Sequence, residues 1–207
     1  MYVPFLKVDK IYEVRCMYYN PNMGSIEIIC GPMFAGKTEE LVRRIKRMEY
    51  AKKRFVVFKP EIDDRYSEKE IVSHSNLRWD AISIKKSMEI YQYVTADINC
   101  VVIDEVQFFD EDVVRIVEDL ANRGLRVICA GLDQDFKSEP FGVVPELLAK
   151  ADFVTKLTAI CSVCGAPATK TQRIVNGKPA SIDEKQILVG ANESYEPRCR
   201  RCHVVLK

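Results

Sequence analysis

Gly31-Pro32-Met33-Phe34-Ala35-Gly36-Lys37-Thr38 fits the pattern GxxxxGK[ST] without a mismatch. Ile26, Ile28, Ile29 and Cys30 before it read as a buried strand. Leu41, Val42, Ile45 and Met48 after it share one face of a helix. A strand, a glycine-bearing turn and a helix in that order make a phosphate-binding loop. The glycines let the backbone curl until successive N–H groups point inward, and the helix N-terminus adds partial positive charge. Lys37 is placed to neutralise β- and γ-phosphate oxygens, and the Thr38 hydroxyl to bind Mg²⁺. The loop therefore implies a nucleoside triphosphate such as ATP. Arg43, Arg44, Lys46 and Arg47 fall largely on the helix face away from the apolar stripe and read as a solvated face.

Outward from this unit, strand and helix alternate. Phe55 to Phe58 read as a second strand ended by Pro60, followed by a polar loop, a short strand near Ala81 to Ile84 and a helix around Ser87 to Thr95. Cys100 to Ile103 is a short apolar run of the kind that fills the centre of a parallel sheet. Asp110 is positioned to cap the next helix, whose Val113, Val114, Val117 and Leu120 face inward, and Gly124 to end it. Leu125 to Ala130 and Phe153 to Ile160 read as further core strands, with a loop and a short helix from Pro145 between them. Such alternation predicts an α/β fold, a parallel sheet with helices on its faces.

The strand Val101-Val102-Ile103 runs directly into Asp104-Glu105. Ligands of open parallel sheets sit at the carboxyl ends of strands. Asp104 is thereby expected near the metal and phosphates. Glu105 is expected to face an acceptor, taking its proton or orienting a water.

Near Cys161 the character changes. Cys161-x-x-Cys164 and Cys199-x-x-Cys202 are separated by 34 residues, and little apolar periodicity remains around them. Two such knuckles can supply four thiolates in a tetrahedron around a structural Zn²⁺. His203 is a substitute ligand, although the paired spacing favours Cys202. Three units follow: an arm over residues 1–24 with no assigned function, a nucleotide-binding core over 25–160 and a zinc-binding domain over 161–207.

Bulk properties narrow the class. In 207 residues, 31 basic and 30 acidic side chains leave a formal net charge of +1. Proteins that hold nucleic acid usually carry a clear basic excess, so a polyanionic partner is disfavoured. No apolar run is long enough to cross a bilayer, and the acid-bearing start is a poor secretory signal. Of eight cysteines, Cys16, Cys30, Cys100 and Cys129 stand singly. That split fits reduced cytoplasmic thiols plus a metal site better than four disulfides.

The ordered motifs together resemble type II thymidine kinases, the group that includes the bacterial and cytosolic animal enzymes. The resemblance covers roughly residues 25 to 203. It rests on the loop 31–38, Asp64-Arg65-Tyr66-Ser67, Ile103-Asp104-Glu105-Val106-Gln107-Phe108-Phe109, Gly131-Leu132-Asp133, Phe136, Pro140-Phe141-Gly142, Lys156 to Cys161 and Tyr195 to His203. It implies a RecA-like P-loop core, a zinc-bearing lasso domain and a homotetramer. It also implies transfer of phosphate from ATP to the 5′-hydroxyl of thymidine and feedback inhibition by thymidine triphosphate. Glu105 matches the family's general base, and Asp63 and Arg65 match positions near the phosphates and acceptor hydroxyl. Met33, Phe108 or Phe109, Leu132, Phe136 and Phe141 match positions around the nucleoside. Thr171, Tyr195 and the backbone of Gln186, Ile187, Leu188, Val189 and Gly190 match the lasso. Position 35 is Ala where the family often has Ser, and residues 1–24 have no counterpart in the family pattern.

Phe108 and Phe109 are adjacent, so they should face different ways. The principal alternative function is a zinc-ribbon P-loop ATPase acting on nucleic acid. Motors of that kind usually need two RecA-like domains, and this chain has room for one.

Overall fold

The computed structural model describes residues 23–61, 70–72, 78–187 and 193–206. In chain order the elements are β1 Ser25–Cys30, α1 Lys37–Tyr50, β2 Phe55–Pro60, β3 Glu70–Val72, β4 Arg78–Asp80 and β5 Ile82–Ile84. A 3-10 turn at Ser87–Glu89 leads into α2 Ile90–Tyr93, then β6 Cys100–Ile103 and a second 3-10 turn at Val106–Phe108. α3 Asp112–Asn122, β7 Arg126–Gly131, α4 Val144–Lys150 and β8 Phe153–Lys156 complete the core. The remainder is built from β9 Ala159–Ile160, β10 Pro167–Ala168, β11 Lys170–Val175, β12 Lys178–Pro179 and β13 Glu193–Arg198.

The central sheet has the order β5-β2-β6-β7-β1-β8, and every pairing in it is parallel. This is the α/β arrangement that the alternation of strands and helices predicts. One strand, β7, separates β1, which feeds the phosphate loop, from β6, which ends in the two acids.

Period-two alternation sorts the sheet's side chains between two helical layers. Val102, Ile128 and Ile29 point to the face covered by Leu41, Val42, Ile45 and Met48 of α1. Val101, Ile103, Val127 and Ile28 point to the face covered by Ile90 of α2, Val113, Ile116, Val117 and Leu120 of α3, and Val144 and Leu147 of α4. Each fully buried Leu or Ile contributes about 1.5–3 kcal/mol relative to exposure, so both layers hold the strand ends in place.

α3 ends as its sequence predicts. Gly124 at φ 93° follows the last turn; its N–H reaches Ala121 O, and Leu125 N–H reaches Leu120 O. That pair of bonds satisfies carbonyls that the helix itself leaves open. At the other end of α3, Asp110 does not cap the helix. Its Oδ2 accepts from Ser87 N–H at 3.0 Å and fastens the turn before α2.

Two further expectations are corrected. Arg44 is buried rather than on a solvated face, because its guanidinium meets Glu27 of β1, Glu40 and the Thr155 hydroxyl of β8. The last core strand stops at Lys156, and Ala159–Ile160 pairs instead with Pro167–Ala168 in the cysteine-bearing module. That module adds a three-stranded antiparallel sheet, β12-β11-β13. Among the described residues no helix is long and apolar enough to cross a membrane.

Candidate active site

The loop between β1 and α1 closes on Gly36, whose φ of 82° lies in the left-handed region that favours glycine. Gly36 sits at the N-cap of α1, and no side chain caps the helix there. The first-turn N–H groups are thus directed at the loop's concavity. Lys37 opens the helix and is buried, with Nζ donating to Pro32 O at 2.9 Å. Burial pulls its pKa below the usual lysine value, opposed by the nearby carboxylates of Glu105, Asp104 and Asp133. Gly31 and Pro32 are buried, Thr38 is half-buried and Phe34 is exposed. Ala35 packs against the small apolar cluster of the cysteine module, a contact that a methyl side chain suits.

Asp104 is buried at the end of β6, and its Oδ1 accepts from Glu105 N–H at 2.9 Å. Burial, reinforced by the neighbouring Glu105 charge, pushes its carboxyl up to about 7. An electropositive partner such as Mg²⁺ would favour the ionised form, and the Asp104 carboxylate and Thr38 hydroxyl are oxygen donors of the kind that could hold one. Glu105 adopts φ 49°, uncommon outside glycine.

Lys37, Glu105 and Met33 border a cavity of about 340 Å³. Phe108, Leu132, Phe136 and Phe141 supply its apolar wall, and Thr171, Gln186, Ile187 and Tyr195 close it from the cysteine-bearing module. The Phe108 and Phe141 rings meet edge to face with centroids 5.5 Å apart. Phe109 packs against the main core, so Phe108 is the member of the adjacent pair on the cavity wall. The module is tied to the phosphate loop by Met33 N–H, which donates to Thr171 Oγ1 at 3.1 Å. Asp63 and Arg65, together with Leu188, Val189 and Gly190, lie outside the described residues.

Four residues not anticipated from the sequence join this site. Arg173, on β11, is fully buried and lines the cavity with Asp135 and Gln134. Gln107 is buried behind Glu105 and donates to its carboxylate. Gln107 lies within the motif 103–109, two residues past Glu105, and that proximity is the signal available for it. Arg173 leaves only a weaker trace, a long cation in a strand segment otherwise read for its threonine.

The four knuckle cysteines converge. The sulfurs of Cys161, Cys164, Cys199 and Cys202 all lie within 4.8 Å of one another, with Cys164 and Cys199 3.6 Å apart. Zn–S bonds of about 2.3 Å in a tetrahedron require sulfurs roughly 3.8 Å apart, so the set fits a zinc ion. His203 is engaged elsewhere: its Nε2 donates to Phe136 O at 2.8 Å, which links the second knuckle to the cavity wall.

A family model described as thymidine kinase matches residues 24–203. Phosphate loop, acidic strand end, cavity and cysteine cluster all fall inside that span, and the chain belongs to the thymidine kinase family.

Proposed function

We propose that this protein transfers the γ-phosphate of ATP to the 5′-hydroxyl of thymidine, and also of deoxyuridine, giving the 5′-monophosphate. The observation that carries this reading is one cavity bordered at once by Lys37 of the phosphate loop, by Glu105, and by an apolar wall of Phe108, Leu132, Phe136 and Phe141. Phosphoryl transfer asks mainly for positioning and charge stabilisation. The loop N–H groups and Lys37 hold the phosphates. Thr38 and Asp104 would hold Mg²⁺, which would supply positive charge for the phosphates. Glu105 takes the proton of the 5′-hydroxyl as its oxygen bonds to the γ-phosphorus and the bond to the β-phosphate oxygen breaks, releasing ADP. This general-base role typically contributes about 10²- to 10⁴-fold.

Phe108, Leu132 and Phe141 contact the base, with Met33, Phe136, Thr171 and Tyr195 around it. The family resemblance assigns the backbone of residues 186–190 to a lasso over the base, and Asp63 and Arg65 to the phosphate side. The cysteine cluster holds Zn²⁺ for structure, since four thiolates leave no open position. Thymidine triphosphate as feedback inhibitor, a homotetramer and a cytoplasmic location belong to the same reading and rest on the family resemblance.

The test is transfer of labelled γ-phosphate from Mg-ATP to each common deoxynucleoside in turn. Strong transfer to thymidine, weaker transfer to deoxyuridine and little to purines is expected. Folded, zinc-loaded protein that phosphorylates none of them but hydrolyses ATP when DNA is added would overturn it in favour of a nucleic-acid-dependent ATPase.

A further inference from the structure

We infer that Gln107 is a positioning residue for phosphoryl transfer, holding Glu105 as an accepting carboxylate turned toward the cavity. The inference rests on the reading of Glu105 as the general base.

Gln107 lies in the 3-10 turn after β6 and is only 3% exposed. Its side-chain amide has one accepting end and one donating end. The accepting end is committed: Oε1 takes the backbone N–H of Leu132 at 3.0 Å. A backbone N–H can only donate, so the amide cannot flip without losing this bond. Nε2 is thereby turned to Glu105, where it donates to Oε2. Such a bond is stronger to an ionised carboxylate than to a neutral carboxyl. It occupies one oxygen and leaves the other for the acceptor's proton.

The surroundings are shaped around this amide. A Cβ on Gly131 would come within 2.6 Å of Gln107 Oε1. Real Cβ atoms do not approach so closely, so a side chain at position 131 would push the amide from its place. Glu105 itself is held in a left-handed conformation, with Asp104 Oδ1 accepting its N–H and Phe108 N–H donating to its carbonyl at 3.1 Å. Backbone strain of this kind persists where neighbours over-determine it. Leu132 also lines the cavity. One amide therefore connects the residue that takes the proton to the wall that seats the nucleoside.

A residue acting through Glu105 should matter only while Glu105 can act, which a double-mutant cycle reads directly. In the full-length protein, Gln107→Leu is expected to lower kcat for thymidine by roughly 10- to 100-fold, the usual range for losing one hydrogen bond to a charged group. The KM for ATP should stay within about 3-fold. In a Glu105→Gln background the same change should lower the residual kcat by less than about 3-fold. If the leucine variant does not fold, Gln107→Glu replaces it in the cycle, since it keeps an acceptor for Leu132 N–H and lacks the donor to Glu105. Equal losses in both backgrounds, or no loss in either, would overturn the role of Gln107. Near-normal kcat in Glu105→Gln alone would instead overturn the general-base reading beneath it.

Discussion

The guanidinium of Arg173 lies over the ring of Phe136, 4.1 Å from its centroid, and so joins β11 to the loop that follows β7. The same group donates through Nη1 to Lys185 O and through Nη2 to Gln186 O, each at 2.6 Å, and through Nε to the Tyr195 hydroxyl at 3.1 Å. A planar fork on an aromatic face can satisfy all of these partners together, whereas an ammonium cannot. Arg173→Lys is therefore expected to loosen the segment that closes the cavity. The KM for thymidine should rise about 10-fold or more, the order of one or two lost charge-assisted bonds, while the KM for ATP moves little. Steady-state kinetics with each substrate varied in turn provide the check. A parallel rise in both constants would assign Arg173 to general stability.

Much of this architecture is legible in the sequence because local rules decide it. The phosphate loop depends on glycines and a strand-to-helix change, and α3 stops where Gly124 can adopt a left-handed turn. The cysteine knuckles are read from spacing alone. What escapes is side-chain pairing across long sequence separation. Arg44 looks solvent-facing on the helix, yet it is drawn inward by Glu27, a lone acid inside an apolar strand 17 residues earlier. That misplaced acid is the signal that was available. Asp110 satisfies the rule for a cap, but its carboxylate accepts from Ser87 N–H instead. β8 ends before Ile160 because its apolar continuation pairs within a different sheet. Gln107 meets Leu132 across 25 residues and Arg173 meets the Phe136 ring, contacts that become visible only once β6, β7 and β11 are assembled.

Glu27 gathers two guanidiniums inside the core. Its carboxylate receives Arg44 Nη1 at 2.5 Å and Arg126 Nη2 at 3.0 Å, with side chains of Glu27 and Arg44 about nine-tenths removed from solvent. Removing one partner of a buried pair costs about 3–5 kcal/mol, because the remaining charge is left poorly compensated. Glu27→Gln should lower stability by that order, measured by urea unfolding at pH 7. A loss under about 1 kcal/mol would show that Glu40 and Thr155, which also meet Arg44, are sufficient for it.

Glu40 makes stability depend on acid pH. The hydrogen bond from Arg43 is the largest influence; burial opposes it and Arg44 adds to it, and together they bring the Glu40 carboxyl down to about 2 from 4.5. A depressed carboxyl binds its proton more readily in the unfolded chain than in the native one. Stability from this group is thus present above about pH 4.5 and is lost as pH falls toward 2. Glu40→Gln should accordingly be less stable than the parent at pH 7, with the gap narrowing as pH drops. Urea midpoints measured for both proteins from pH 7 to pH 3 decide the matter. A gap independent of pH would assign the loss to packing of the side chain.

The cysteine module has only a small apolar cluster at its knuckles among the described residues. Its buried apolar cluster consists of Ala159, Cys161, Ala168 and Cys199, with Ala35, Ala166 and Cys202 partly covered against it. Four small residues bury little apolar surface, so the strands around the knuckles gain little from hydrophobic burial there. A metal bound by the native sulfurs supplies what burial does not, since its binding free energy adds directly to folding. Elemental analysis is expected to find about one zinc per chain. Chelation should unfold β9 to β13 before the parallel sheet, giving two thermal transitions where the loaded protein gives one. Because Thr171 and Arg173 reach the cavity from this module, thymidine binding should weaken with the first transition while ATP binding survives it. A chelated protein with an unchanged melting curve would show that the module folds without its metal.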